Sequence, residues 1–129
     1  MAVSKDMEIL VVDDYATMRR IIRNLLTQLG FKNISEATDG GDALAKLRAK
    51  AADLVISDWN MEPMTGLQLL KEVRTDAKLK GMPFIMVTAE SKTDNVVAAK
   101  AAGVNNYIVK PFNAETLKTK MQSVIGAFD

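Results

Sequence analysis

Asp13 and Asp14 follow the apolar pair Val11-Val12, Asp58 follows Val55-Ile56-Ser57, Thr88 follows Ile85-Met86-Val87, and Lys110 follows Ile108-Val109. Three carboxylates, a hydroxyl and an ammonium group suit chemistry at phosphorus. Carboxylates about 5 Å apart repel by roughly 3 kcal/mol per pair at an effective dielectric of about 20, so three together call for protonation, a cation or both. With oxygen donors alone the expected cation is hard, Mg2+ above all. An aspartate can itself attack phosphorus to give an acyl phosphate, and Mg2+ with Lys110 would offset the ~1.5 to 2 negative charges gained. The Thr88 hydroxyl is then a donor to a phosphoryl oxygen. Asp58 is the candidate nucleophile, because Leu54-Val55-Ile56 reads as a strand buried on both faces that delivers a carboxylate where the chain leaves the core.

The composition closes off other chemistry. The chain has 129 residues, no cysteine and no histidine. That removes disulfides, thiolate nucleophiles, the usual zinc sites and every Ser-His or Cys-His arrangement. Seventeen basic residues against sixteen acidic leave a formal charge of +1, which argues for neither nucleic acid nor an anionic membrane as partner. The N-terminal stretch lacks a signal-like apolar segment and no run approaches the ~20 residues of a membrane helix, so a cytoplasmic protein with no membrane insertion is the expectation. The length predicts one domain over 1–129, able to bury roughly two-thirds of its unfolded surface.

Positioning these groups takes alternating strands and helices. Ile9 to Val12 reads as a strand, and from Ala16 the apolar residues Met18, Ile21, Ile22, Leu25, Leu26 and Leu29 mark one face of a helix stopped by Gly30. A weaker strand around Ile34 to Thr38 leads through Asp39-Gly40-Gly41 to a helix with Ala43, Leu44 and Leu47. After the Asp58 strand, a helix over Thr65 to Arg74 turns Leu67, Leu70 and Val73 inward, and Gly81-Met82-Pro83 breaks the chain before the strand Phe84 to Val87. A fourth helix over Thr93 to Ala102 closes at Gly103, Tyr107 to Val109 is a fifth strand, and Asn113 caps a helix with Leu117, Met121, Val124 and Ile125 inward. Five such units imply an α/β fold with a parallel sheet covered on both faces, whose strand C-terminal ends share one edge. Asp13, Asp14, Asp58, Thr88 and Lys110 are therefore expected to meet.

Together with Lys110-Pro111-Phe112, these residues resemble the receiver domain of two-component response regulators over essentially the whole chain. Val11-Val12-Asp13-Asp14, Thr17-Met18-Arg19-Arg20, Ser57-Asp58-Trp59-Asn60-Met61, Met86-Val87-Thr88-Ala89-Glu90 and Tyr107 are similar to the single-domain chemotaxis regulators of that family in particular. The resemblance implies a flavodoxin-like doubly wound (βα)5 fold with strand order 2-1-3-4-5. It implies that Asp58 accepts a phosphoryl group from a chemotaxis histidine kinase, with Asp13, Asp14, Asp58 and the Asn60 backbone carbonyl around Mg2+. By the same resemblance, Thr88 and Lys110 would hold the phosphoryl oxygens, and Thr88 would be coupled to inward rotation of Tyr107, which reshapes the surface of the fourth helix, fifth strand and fifth helix. The flagellar motor switch protein is the implied target, whether a dedicated phosphatase exists stays open, and a monomer is expected. Glu62, Glu90 and Trp59 are candidate modulators. The order Met61-Glu62-Pro63-Met64-Thr65-Gly66 departs from the usual pattern, which has Pro at position 62 and an acidic residue before the glycine. Glu62 therefore adds a carboxylate near the metal site and shifts the proline restriction by one residue.

Each piece alone has a plainer explanation. Asp13-Asp14 could be a helix N-terminal charge pair, Lys110 a surface lysine, Tyr107 an ordinary half-buried aromatic and Trp59 an edge aromatic. Arg19, Arg20 and Arg23 read first as a solvated helix face, with kinase docking as the alternative. An aspartate-nucleophile phosphatase would carry a second Asp two residues after the first, where Tyr15 stands. A nucleotide-binding module would want a Gly- or Ser/Thr-rich loop after the first strand, where Asp13-Asp14-Tyr15-Ala16 would repel phosphate instead. No DNA-binding output domain is expected after Asp129, so a protein partner is. A phosphate sink that drains the kinase, or a non-flagellar target, remains the alternative to the motor.

Overall fold

A computed structural model describes residues 5–62, 64–88, 93–110 and 112–126, with backbone alone for 93–95. Glu90, Ala89, Pro63 and Pro111 lie outside the described residues. The elements run β1 (Glu8–Val12), α1 (Ala16–Gln28), β2 (Asn33–Ala37), α2 (Gly40–Ala49), β3 (Leu54–Asp58), α3 (Gly66–Thr75), β4 (Phe84–Thr88), α4 (Thr93–Ala101), β5 (Asn106–Val109) and α5 (Ala114–Ile125). All strand pairs are parallel and the sheet order is β2-β1-β3-β4-β5, the order that the family resemblance implies.

The period-two alternation of each strand divides the core in two. Leu10, Val12, Val55, Phe84 and Met86 face a layer built on Ala43, Leu44 and Leu47 of α2 and Leu69, Leu70 and Val73 of α3. Their neighbours Ile9, Val11, Leu54, Ile56, Ile85, Val87 and Ile108 face Ile22 and Leu26 of α1 and Leu117 and Met121 of α5. Every residue of β3 and β4 is buried, so the near-continuous apolar runs Leu54 to Ile56 and Phe84 to Val87 follow from central position. The edge strand β2 alternates exposed and half-buried positions up to Ala37, which is why its pattern was weak.

Local chemistry fixes the ends of the helices. Asp39 accepts from the Asp42 N–H at the start of α2, Asn113 from the Thr116 N–H at the start of α5, and Thr65 with Gln68 forms a reciprocal capping box on α3. Gly30 closes α1 with φ +99°, its N–H bonded to the Thr27 carbonyl and that of Phe31 to the Leu26 carbonyl. That paired arrangement needs a left-handed residue, which glycine adopts at no steric cost.

Three expectations are corrected. Ile21 is exposed at 44 %, because Ile22 and Leu26 fill the groove on the sheet and Ile21 lies a further 100° round the helix. Leu67 is only half-buried, and Leu69 takes the inward place on α3 beside Leu70 and Val73. The third concerns Arg19, which is no solvated side chain: only 16 % of it is accessible, and it is bonded to both Asp13 and Glu36. None of the described helices is long and apolar enough to cross a membrane.

Candidate functional site

Parallel registry brings the candidate residues to one edge. Val12 pairs with Ser57, Asp58 with Val87 and Thr88 with Val109, so Asp13, Asp58, Thr88 and Lys110 all emerge at the C-terminal ends of adjacent strands. Asp13, Asp58 and Thr88 are buried, at 1 %, 5 % and 4 % exposure, and Asp14 is exposed beside them. One carboxylate oxygen from each of Asp13, Asp14 and Asp58 lies within 4.8 Å of the others. At that spacing two full charges repel by about 3 kcal/mol at an effective dielectric of about 20.

Lys110 partly answers that repulsion. Its Nζ donates to Asp58 Oδ1 at 3.1 Å and stands 3.8 Å from Asp13 Oδ2. The lysine is aimed by its own backbone, whose N–H donates to the Thr88 carbonyl at 2.7 Å and so extends the β4–β5 ladder to the edge of the site. Among the described residues, one cation against three carboxylates leaves an acidic pocket. Burial pushes the Asp13 carboxyl up to about 6, with Asp58 and Asp14 adding to the rise while the Tyr15 N–H and Lys110 oppose it. Asp58 is also raised, chiefly by burial and against the opposing pull of Lys110.

Asp13 is held on three sides. Its N–H donates to the Ala37 carbonyl at 3.2 Å, its Oδ1 accepts from the Tyr15 N–H at 2.9 Å, and its carbonyl accepts from Arg19 Nη1 at 2.7 Å. Its Oδ2 alone, among the buried side-chain oxygens and nitrogens of the described residues, has no hydrogen-bond partner. A buried carboxylate oxygen with no donor costs free energy unless something cationic meets it. An all-oxygen set of three carboxylates fits a hard divalent cation such as Mg2+, and fits zinc or copper poorly.

The loop after Asp58 is clamped at its base. The Trp59 N–H donates to the Val87 carbonyl at 2.9 Å, and its carbonyl accepts from the Gly66 N–H at 2.9 Å. A Cβ on Gly66 would come 2.2 Å from the Asp58 carbonyl oxygen and 2.8 Å from Met86 Sδ, so only glycine lets α3 begin there. Trp59 is half-buried and packs against the α2–α3 layer. Asn60 and Glu62 are exposed in the loop. Tyr107 is half-buried against the same layer as Trp59, and Lys120 of α5 stands over its ring at 5.2 Å. Strand alternation places Thr88 on the face that Met86 and Tyr107 share, two residues beyond the Met86–Tyr107 pair.

The sequence offered Arg19 only as part of a solvated or kinase-docking helix face, and gave Gly66 no role in shaping the site. Gly66 could have been suspected from its place directly after a Thr N-cap signal, while the Arg19 contact depends on β2 lying beside β1, which no local pattern discloses.

Comparison with known proteins agrees with this geometry. Residues 9–122 match the family model described as the response regulator receiver domain. The chain is 53 % identical over 118 residues to the chemotaxis protein CheY of Pseudomonas aeruginosa, covering 92 % of this chain and 95 % of that protein. It superposes with TM-score 0.86 on the chemotaxis protein CheY4 of Vibrio cholerae, at 37 % identity over 92 % of this chain and 98 % of that one. The receiver domain of the sensor histidine kinase PA1611 of Pseudomonas aeruginosa, whose structure has a magnesium ion coordinated in the active site cleft, matches with TM-score 0.85 at 26 % identity, over 95 % and 99 % of the two chains. The strand order is that of the flavodoxin-like folds in which CheY is a standard example. By sequence, by topology and by the acidic pocket at the strand ends, the chain belongs to the response regulator receiver domain family.

Proposed function

We propose that residues 1–129 act as a single receiver domain of the CheY type, a cytoplasmic signalling protein that takes a phosphoryl group from a chemotaxis histidine kinase onto Asp58. The observation that supports this most directly is Lys110 Nζ, 3.1 Å from Asp58 Oδ1 and 3.8 Å from Asp13 Oδ2, beside three carboxylates within 4.8 Å of one another. Asp58 then has a cation in contact and an acidic pocket at its side.

Asp13, Asp14 and Asp58, with the Asn60 backbone carbonyl, would hold Mg2+, which when bound neutralises charge at the pocket and on the phosphoryl oxygens. An Asp58 carboxylate oxygen attacks phosphorus. The O–P bond forms as the N–P bond to the donor imidazole breaks, and the electron pair of that bond returns to the ring nitrogen. Lys110 turns from the carboxylate to a phosphoryl oxygen, and the Thr88 hydroxyl donates to another. Thr88 shares a face with Tyr107, so drawing it toward the phosphoryl group frees room for the ring to rotate inward. The α4-β5-α5 surface follows as a population shift between two states. The flagellar motor switch protein is the target that best suits this surface in a chain resembling CheY.

Intact mass after incubation with a small acyl-phosphate donor, with and without Mg2+, on wild type and Asp58→Asn, tests the chemistry. A single adduct of roughly 80 Da that needs both Mg2+ and Asp58 is expected. An adduct on the Asp58→Asn variant, or none on wild type, would refute it. If the phosphorylated protein then binds no motor switch protein, the output is a phosphate sink or another target.

A further inference from the structure

We infer that Arg19 is a positioning residue for the acidic pocket: its guanidinium fixes the peptide between Asp13 and Asp14 and so sets the affinity of the site for Mg2+. This rests on the reading of that pocket as a Mg2+ site. Arg19 lies on α1, six residues past Asp13, and its two bonds serve different elements. Nη1 donates to the Asp13 carbonyl at 2.7 Å, and Nε donates to Glu36 Oε1 on β2 at 3.1 Å. The other carboxylate oxygen of Glu36 accepts from Arg23 Nη1 at 2.9 Å, and its backbone carbonyl accepts from Lys46 of α2. Glu36 is therefore tied from both flanking helices, and the planar guanidinium passes that rigidity to the Asp13 carbonyl.

The carbonyl of Asp13 belongs to the peptide whose N–H is that of Asp14. Fixing its direction fixes the course of the chain as it leaves β1, where Asp13 is buried and Asp14 is exposed. The remaining restraints on Asp13, from the Ala37 carbonyl and the Tyr15 N–H, hold its own amide and side chain and leave this peptide plane to Arg19. Outer contacts that orient metal-binding carboxylates typically carry 10- to 100-fold in affinity. Electrostatics has the opposite sign. Removing a cation this close to three carboxylates should draw Mg2+ in more tightly, although Glu36 already offsets much of that charge. Weaker binding on losing Arg19 therefore reports orientation, and tighter binding reports charge.

The experiment is a Mg2+ titration of the full chain followed by Trp59 fluorescence and, independently of the fluorophore, by calorimetry. Its samples are wild type, Arg19→Ala, Arg19→Lys, and Ile22→Val as a control that loosens α1 without touching the pocket. The expected result is saturable binding by wild type, a dissociation constant about 10-fold higher for Arg19→Ala, a smaller rise for Arg19→Lys, and no change for Ile22→Val. Arg19→Lys keeps the charge but cannot bond both partners as a fork, so its shift is readable even if Arg19→Ala does not fold. Wild-type binding with an equal or lower constant in the folded Arg19 variants would overturn the role of Arg19 and leave the pocket's assignment intact. A wild type that binds no Mg2+ by either method would instead overturn the assignment, and this inference with it.

Discussion

Asp13→Asn should stabilise the metal-free protein near neutral pH. Asp13 titrates at about 6 in the folded chain against an ordinary value of 3.8, because burial and neighbouring carboxylates disfavour its charge. A rise of that size means that holding the carboxylate ionised costs the native state about 3 kcal/mol. Asparagine keeps an oxygen for the Tyr15 N–H and offers an amide toward Asp58, but it gives up the attraction to Lys110 across 3.8 Å. The opposing pull of Lys110 is already contained in that rise, so the expected gain is about 3 kcal/mol. With a urea dependence of about 2 kcal/mol per molar, the unfolding midpoint should rise by about 1.5 M at pH 7.5 with chelator present. The pH dependence should change as well. A carboxyl whose folded value lies above its unfolded one adds stability that is complete below about 4 and lost as pH rises through about 6. Metal-free wild type is therefore more stable at pH 5 than at pH 7.5, with Asp58 contributing in the same direction. Asp42 and Asp76 titrate below their usual range through backbone N–H donors at Thr38 and Lys78, and their stabilisation is lost only at more acid pH. In Asp13→Asn the gain between pH 7.5 and 5 should shrink. A variant less stable than wild type at pH 7.5, or one with an unchanged pH slope, would show that the buried charge is not what destabilises this edge.

Lys110→Ala removes the ammonium from Asp58 and Asp13, and phosphorylation by an acyl phosphate, read by stopped-flow Trp59 fluorescence, should slow 10²- to 10³-fold; a change below threefold would remove Lys110 from the chemistry. Gly66→Ala drives a methyl to 2.2 Å from the Asp58 carbonyl oxygen and should cost about 3 kcal/mol in urea unfolding, so an unchanged midpoint would mean that the start of α3 is not held as described. Tyr107→Ala should weaken binding to the target protein and erase its dependence on phosphorylation, and a phosphorylation-dependent affinity equal to wild type would end the case for a Tyr107 switch. Glu62→Pro removes an exposed carboxylate from the loop after Asp58; Mg2+ affinity or the decay rate of the phosphorylated protein should shift, and coincident titrations and decays would clear Glu62 of any influence.

The parts of the fold visible in the sequence are those fixed by burial on two faces. Leu54 to Ile56 and Phe84 to Val87 read as central strands because both faces of the sheet are covered there, and the groups that follow them fall at one edge by parallel geometry. β2 was faint because it is an edge strand with water on part of it. Ile21 and Leu67 misled because an apolar stripe on a helix can be wider than the groove that receives it. Leu79 and Met82 were missed as core residues because they reach the α2–α3 layer from an irregular segment, where periodicity gives no signal. At the site, residue types disclosed which groups meet at the sheet edge, whereas the bracing of Asp13 by Arg19 and Glu36 needs three elements in contact and has no local signature.

The closure of the loop after Asp58 bears on how such a protein diversifies. Trp59 and Gly66 are bonded to each other, and Gly66 lies against the Asp58 carbonyl, so the chain leaves the body after Trp59 and re-enters it at Gly66 at nearly the same point. Lengthening or rewriting a loop whose ends are already joined costs little closure entropy and transmits little strain to its anchors. Changes at Glu62-Pro63 can then be accommodated near the Asp58 carboxylate while Asp58, β3 and α3 keep their places. If Asp58 carries the phosphoryl group as proposed, the loop can alter how long that group persists without disturbing the strands and helices that hold the pocket.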